Sequence, residues 1–329
     1  MSAAAQYEEA LANLPASGGG GCHAALLGVA NLGVIAGVAP EQCASDLRAH
    51  VHGSRHIGDG EINAAVAKAF AEHGNGQRRS RHVCLSRSTA RPGLDAGKML
   101  RGILDKGDGA READVWELSP VRLDWPAEVD AMRLLRILYK STDRVFIGER
   151  YDSDAEHVRT AADWIAAFET GVAVPEHIIP NPLRGEPGMT KDGKQSFRAD
   201  ACVARFRFAV LEFDSIPLPL CEPGKTPGPW PREAQLEFWA GALVFDWPIA
   251  ALIDSGGKSI HAWLTVDAVD ATEWAAAVEN KLFGEFFVPL GVDAACKNEA
   301  RLSRMPGHFR SEKDRWQRIL YLNPDGGNL

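Results

Sequence analysis

The stretch "LIDSGGKSIHAWL", residues 252–264, sets two glycines, a lysine, a serine and a histidine between two apolar runs. Its "GGKS" is similar to the end of a Walker-type phosphate loop, but that motif needs a glycine at position 252, where the chain has Leu252. A β-hairpin explains the pattern instead, because glycines suit the positive φ of a two-residue turn. The stretch therefore predicts two adjacent antiparallel strands.

The alternation within this hairpin predicts which side chains face the core. With a turn at Gly256 and Gly257, Leu252 is expected opposite His261. One face of the second strand is expected to be core, and it carries Ile260, Ala262, Leu264 and Val266. The other face carries Ser259, His261, Trp263 and Thr265. Ser259 and His261 are thus expected to look out on the same side.

The elements around the hairpin predict the fold. A strand is expected over 205–214 ("RFRFAVLEFD"), a helix over 231–243, and a helix over 270–283 that opens on a capping box of Asp270 and Glu273. A last strand is expected around "ARLSRM", residues 300–305. The order β-α-β-β-α-β points to an α+β protein with a ferredoxin-like or RRM-like antiparallel sheet.

Composition shifts divide the chain into four parts. We expect a flexible tail over 1–21, a small all-helical module of three helices over 22–73, a basic linker with one amphipathic helix over 74–111, and the larger domain over 112–329. The larger domain begins with an N-terminal α/β extension, in which helices over 130–140 and 156–171 flank a short strand, "RVFIGE".

Charge and cysteine usage narrow the class of protein. The net charge of −8 argues against a protein that coats nucleic acid by charge alone, although Arg78–Arg101 and Lys297–Arg318 each carry seven Lys or Arg. Such runs are also common on solvated surfaces. No apolar segment reaches the length of a membrane helix, and the six cysteines lie far apart without a CxxC pair. We expect a soluble, cytoplasmic protein with reduced thiols.

Three carboxylates are candidate metal ligands. Glu212 and Asp214 are two residues apart on one strand, with Cα atoms about 6.6 Å apart, and Asp293 follows the apolar Val292. Such acids need neutralisation, and hard oxygen ligands suit Mg²⁺ or Mn²⁺. A strand end that reaches solvent would carry the same pair. Apolar residues share the face with these acids, namely Phe206, Phe208 and Val210, so a bulge or a strand end at a cleft is expected.

The whole constellation resembles a known family. "LEFD" (211–214), "SIH" (259–261) and "VD" (292–293) match the h-[DE]-h-[DE], S-x-H and h-[DE] motifs of the archaeo-eukaryotic primase superfamily. The resemblance is to the primase-polymerases of phages and plasmids and covers about residues 112–329. Its flanking blocks "FIGE", "NPLRG" and "RLSRMPG" look similar too.

The resemblance implies a function and a set of roles. It implies a DNA primase or polymerase that binds single-stranded DNA template and nucleoside triphosphates. Glu212, Asp214 and Asp293 would hold two Mg²⁺ or Mn²⁺ ions, and Ser259 and His261 would contact the phosphates of the nucleotide. From charge and position we add Lys258, Arg301 and Arg304 to the nucleotide site. No Walker motif is present, so a replicative helicase would be a separate chain.

Two other functions stay open. "HVH" at 50–52 is the two-histidine pattern of rolling-circle nicking enzymes, for which Tyr139 or Tyr151 would be the nucleophile. That reading needs the histidines on a sheet strand, whereas they end a helical pattern, so surface or capping histidines are expected. A replication initiator that binds DNA without polymerising would keep the same fold.

Overall fold

The computed structural model describes residues 3–16, 22–53, 57–73, 95–221, 224 and 226–325. The chain divides into two compact units, Met1–Arg81 and His82–Leu329. Among the described residues, none of the helices combines the length and the apolar character needed to span a bilayer.

In its described residues the smaller unit contains four helices: α1 (Ala3–Ala12), α2 (Cys22–Ile35), α3 (Pro40–His50) and α4 (Asp59–His73). The three predicted helices are confirmed as α2, α3 and α4. Where we expected a flexible tail over 1–21, residues 3–12 form α1, because Tyr7 and Leu11 share one helix face and are buried, with Leu14 after the helix, among the apolar residues of the other helices. The glycine run at 18–21 lies outside the described residues.

The larger unit contains the remaining elements. Its helices are α5 (Ala96–Gly107), α6 (Glu112–Glu117), α7 (Asp130–Leu138), α8 (Ala161–Glu169), α9 (Arg232–Val244), α10 (Ala271–Glu273), which continues as a π-helix (Trp274–Phe287), and α11 (Val288–Leu290). Its strands are β1 (Arg144–Gly148), β2 (Val158–Thr160), β3 (His177–Ile178), β4 (Gly188–Met189), β5 (Gln195–Ser196), β6 (Phe206–Leu211), β7 (Ile249–Asp254), β8 (Ile260–Ala268), β9 (Ser303–Arg304), β10 (Phe309–Arg310), β11 (Arg315–Trp316) and β12 (Arg318–Leu322).

The main sheet has the strand order β12-β7-β8-β6, and every neighbouring pair is antiparallel. The α+β class and the chain order β-α-β-β-α-β are as predicted. The closing strand is β12, however. The stretch around "ARLSRM" contributes only β9, which joins a second sheet of order β2-β1-β3-β9. The last strand also lies beside β7, whereas an RRM-like sheet places it beside the first strand.

Both faces of the main sheet are covered. Leu252, Ala262 and Leu264 face a core built with α9 and the π-helix, while Ile253 and Trp263 face a second core built with α7, α8 and β1. A sheet buried on both faces shows continuous apolar runs instead of alternation with polar residues. Polar side chains on these strands therefore need specific partners.

The region expected as a basic linker contributes to the larger unit. Residues 74–94, with most of the first basic patch, lie outside the described residues. Helix α5 follows them, buries Leu100 and Ile103, and lies along α9. The two helices approach closely at Gly107 and Gly241, because a Cβ at either glycine would overlap backbone of the other helix. The larger unit therefore begins before residue 112.

The close approach of α5 and α9 makes a stability prediction. In Gly241→Ala the new methyl group would meet the carbonyl oxygen of Ile103, which cannot rotate away. We expect the free energy of unfolding to fall by about 3 kcal/mol, the upper end for overpacking. Chemical denaturation followed by tryptophan fluorescence measures it.

Gly102→Ala is the matched control, because Gly102 lies in α5 with no atom within 4 Å of its virtual Cβ among the described residues. Its better helix propensity should stabilise the protein by about 0.5–1 kcal/mol. Equal stability of the two variants would contradict the packing of α5 on α9.

Candidate active site

The acids of "LEFD" are aimed by an aromatic anchor. Phe213 is buried among aromatic rings, with centroids 4.6 Å from Trp230 and 4.9 Å from Phe238. Since neighbouring residues of an extended chain point to opposite sides, Glu212 and Asp214 turn away from this core. The expected bulge is confirmed between Phe206 and Phe208 of β6. It sends Phe206 to the face opposite Phe208 and Val210.

The free edge of β6 is closed by one buried side chain, Asn181. Its Oδ1 accepts hydrogen bonds from the backbone N–H groups of Arg207 (2.7 Å) and Phe208 (2.8 Å). Its Nδ2 donates to the carbonyls of Phe208 (3.0 Å) and Glu299 (2.8 Å). Asn181 thereby ties the strand that leads to Glu212 to the chain that leads to Arg301, and it gives the "NPLRG" block a structural role.

The hairpin that follows has a register one residue away from the predicted one. Ser255 N–H donates to the Ser259 carbonyl (3.0 Å), so the loop contains three residues, Gly256–Lys258, with Gly256 at φ 64°. His261 is therefore paired with Ile253, not with Leu252. The faces of β8 are as predicted, because the slip changes only the partner strand.

Buried polar contacts hold the hairpin tip. Gln235 of α9 donates from Nε2 to the Lys258 carbonyl (3.0 Å) and accepts at Oε1 from Ile260 N–H (3.0 Å). Asp254 accepts from Gly256 N–H (2.8 Å) and from Arg232 Nε (2.8 Å). The position of Ser259 and His261 is thus fixed from both sides of the turn.

His261 lies in a chain of hydrogen bonds with a defined direction. The indole of Trp263 is only a donor, and its Nε1–H donates to Ser303 Oγ at 2.8 Å. The Ser303 hydroxyl faces His261 Nδ1 at 3.3 Å, and His261 Nε2 lies 2.9 Å from Glu212 Oε2. Because a carboxylate can only accept, Nε2 carries a proton that it donates to Glu212.

Asp293, the third predicted acid, lies next to Glu212, the first. Asp293 N–H donates to the Glu212 carbonyl at 3.0 Å, and Asp293 Oδ1 accepts from Ala295 N–H at 2.9 Å at the start of a 3₁₀ turn. Arg301 Nη2 donates to Glu212 Oε1 and lies 3.4 Å from Asp293 Oδ2. A cationic group therefore lies between the two carboxylates.

The electrostatics reflect this arrangement. Burial alone would raise the pKa of Glu212, but the hydrogen bond and charge of His261, together with Arg301, outweigh it and hold the pKa well below its usual range. Burial, followed by the charges of Glu212 and Asp293, raises the pKa of Asp214. Asp214 thus feels both other acids although its side chain is exposed.

A divalent cation fits these residues. Glu212, Asp293 and Cys296 each offer a ligand atom, and the three atoms lie within 4.8 Å of one another. Burial and then Glu212 raise the pKa of the Cys296 thiol, and sulfur is in any case a soft ligand that hard cations such as Mg²⁺ disfavour. The donors that remain are carboxylate oxygens, the ligands that Mg²⁺ and Mn²⁺ prefer.

Of the other predicted site residues, Ser259 lies close to His261, whereas Lys258 and Arg304 do not contact the carboxylates in the same way. Ser259 Oγ lies 3.4 Å from His261 Nε2, whereas Lys258 is exposed at the hairpin tip. Arg304 pairs with Glu176, which is not one of the three predicted metal ligands. Sequence reasoning missed Ser303, which lies between Leu302 and Arg304 in "RLSRM" and carries no local signal of its role.

The histidines of "HVH" end a helix. His50 is the last residue of α3, with its Nδ1 2.8 Å from the Asp46 carbonyl, and His52 Nδ1 lies 3.0 Å from the His50 carbonyl. Tyr139 is buried and donates its hydroxyl to the Pro180 carbonyl at 2.7 Å. The contacts of His50 and His52 match the expected capping histidines.

The pKa of Glu212 yields a prediction. A carboxylate with a lowered pKa stabilises the folded protein above the unfolded pKa of about 4.3, and this contribution is lost as the pH falls. Replacing the imidazole in His261→Phe removes a hydrogen bond to Glu212, so the pKa of Glu212 should rise. The carboxyl ¹³C shift of Glu212, followed by NMR over pH, measures it.

His157→Phe is the control, because His157 pairs with Asp152 (3.4 Å) instead. It should leave the titration of Glu212 unchanged. A Glu212 titration that is the same in the wild type and in His261→Phe would refute the contact between His261 and Glu212.

Comparison with known proteins adds no relative: no protein-family model, no curated protein and no solved structure matches the chain. The basis for a function is therefore the geometry of Glu212, Asp293, His261 and Arg301.

Proposed function

We propose that the larger unit is a metal-dependent nucleotidyltransferase, a primase-polymerase similar to the archaeo-eukaryotic primases of phages and plasmids. One observation carries the proposal. Glu212 and Asp293, far apart in sequence, are joined by a backbone hydrogen bond of 3.0 Å, and His261 on the neighbouring strand lies 2.9 Å from Glu212. Two such carboxylates beside a buried histidine are costly in a purely structural site.

The carboxylates would bind the metal. Glu212 and Asp293, with Asp214 beside them, would hold Mg²⁺ or Mn²⁺, two ions in the full complex. The ions supply Lewis-acid activation of the attacking 3′-hydroxyl and neutralise charge on the leaving pyrophosphate. The raised pKa of Asp214, which follows from its burial and the two neighbouring acids, is consistent with a site that gains from added positive charge.

Arg301 has a double role in this proposal. Its guanidinium neutralises Glu212 and Asp293 and lies between them. With a cation on these carboxylates, Arg301 would be free to pair with a phosphate of the nucleotide, which suits its planar donor geometry.

His261 and Ser259 would position the nucleotide. Their side chains share one face of β8, and His261 is oriented by Ser303 and Trp263. A histidine held in this way would have its Nε2–H, which donates to Glu212, already oriented to be shared with a phosphate oxygen. Lys258 at the exposed tip and Arg310, which reaches the Ser255 carbonyl at 3.3 Å, add positive charge along the hairpin. Arg304 pairs with Glu176 and would hold the carboxylate of that residue in place.

Primer extension tests the proposal. The full chain is incubated with Mn²⁺, a primed or unprimed single-stranded DNA template, and either ribonucleotides or deoxyribonucleotides. We expect template-dependent incorporation with release of one pyrophosphate per nucleotide. Asp293→Asn should lower the rate by about 100-fold or more, because it removes a charged metal ligand.

Glu285→Gln is the charge-matched control, because Glu285 is exposed on the π-helix. It should extend like the wild type. Absence of extension in the wild type, or equal extension by Asp293→Asn, would remove the polymerase proposal. DNA binding without any product would leave a non-polymerising initiator as the function.

A further inference from the structure

A second group of ligand-type side chains lies on the second four-stranded sheet of the larger unit, β2-β1-β3-β9. Strands β1 and β3 are antiparallel with Gly148 opposite His177, so Glu149, which follows β1, comes opposite Glu176. Glu149, Glu176 and His177 each offer a ligand atom, and the three atoms lie within 4.8 Å of one another. None of these residues belongs to the site around Glu212.

The imidazole of His177 points to a missing ligand. His177 is only 7% exposed, and its Nδ1 has no hydrogen-bond partner among the described residues. Nδ1 faces Glu176 Oε2 at 3.4 Å. A buried polar atom is normally satisfied, and a cation between Nδ1 and the Glu176 carboxylate would give both atoms a partner.

The carboxylates are already held by neighbouring groups. Arg304 pairs with Glu176 Oε1, and Glu149 Oε1 accepts a hydrogen bond from Glu176 N–H at 3.3 Å. The second oxygen of Glu176 is left toward His177. Carboxylate ligands of metals are commonly fixed by hydrogen bonds of this kind to their other oxygen.

We propose that Glu149, Glu176 and His177 bind one divalent transition-metal cation of the Zn²⁺ type. Mixed imidazole and carboxylate donors suit such ions, and ligand atoms about 2.1 Å from one ion lie at most about 4.2 Å apart, close to the spacing here. The ion would join the end of β1 to β3, and three protein ligands leave at least one position open for water.

Metal binding is measured in Asp293→Asn, because that variant lacks an acid of the first site and should bind metal there more weakly. The full-length variant is titrated with Zn²⁺ by calorimetry and with Co²⁺ by visible absorption, which reports on the coordination geometry of the bound ion. We expect one ion per chain at this site. Adding Glu149→Gln or His177→Gln should weaken its binding by about 100-fold.

His157→Gln is the matched control, because His157 also lies beside two carboxylates, 3.4 Å from Asp152 and 3.5 Å from Glu156. It should leave the affinity unchanged. His177 is buried, so its variant could fail to fold. Glu149 is exposed, so Glu149→Gln should fold and still tests the site. Absence of Zn²⁺ binding in Asp293→Asn, or binding unchanged by Glu149→Gln, would overturn the proposal, whatever the outcome of primer extension.

Discussion

The neutralisation of Glu212 is the constraint on which the site depends. Its carboxylate is mostly buried, and burial of an unpaired carboxylate would cost several kcal/mol. His261 and Arg301 approach it from a neighbouring strand and from the chain after the 3₁₀ turn, and the Asp293 N–H binds its carbonyl. Segments distant in sequence are therefore held at one point by charge and hydrogen bonding.

The two-faced burial of the main sheet makes this possible. Phe213 and Trp263 anchor opposite faces, so the polar residues next to them have few alternative positions. Asn181 closes the edge of β6 and keeps the backbone before Glu212 in place. The apolar residues thus determine the geometry, and the polar residues determine what the geometry can bind.

Local pattern predicted the elements well and long-range pairing less well. Alternation on β8 put Ser259 and His261 on one face, and Asp293 was found from its place after an apolar residue. The hairpin register was missed by one residue because two glycines suggested a two-residue turn, while Lys258 completes a three-residue loop. Strand β9 was assigned to the wrong sheet and helix α5 to a linker, because their positions depend on the distant partners β3 and Gly241, which no local pattern reveals.

Ion pairs in the site also could not be read from the sequence. Arg301 and Arg304 look alike in "ARLSRM", yet one pairs with Glu212 and the other with Glu176. Arg301 and Arg304 are three positions apart, and residues an odd number of positions apart on an extended chain point to opposite sides. The two side chains therefore have different partners. Which acid each arginine meets depends on strand register.

We propose that Glu212 and Asp293 form a divalent-cation site in which Arg301 takes the place of the cation. Mn²⁺ affinity, measured from the electron paramagnetic resonance signal of free Mn²⁺ in a Glu149→Gln background, tests this site directly. We predict that Asp293→Asn weakens binding by at least about tenfold and that Arg301→Gln, which removes the competing charge, tightens it. Unchanged binding in Asp293→Asn, or weaker binding in Arg301→Gln, would contradict a cation site at these carboxylates.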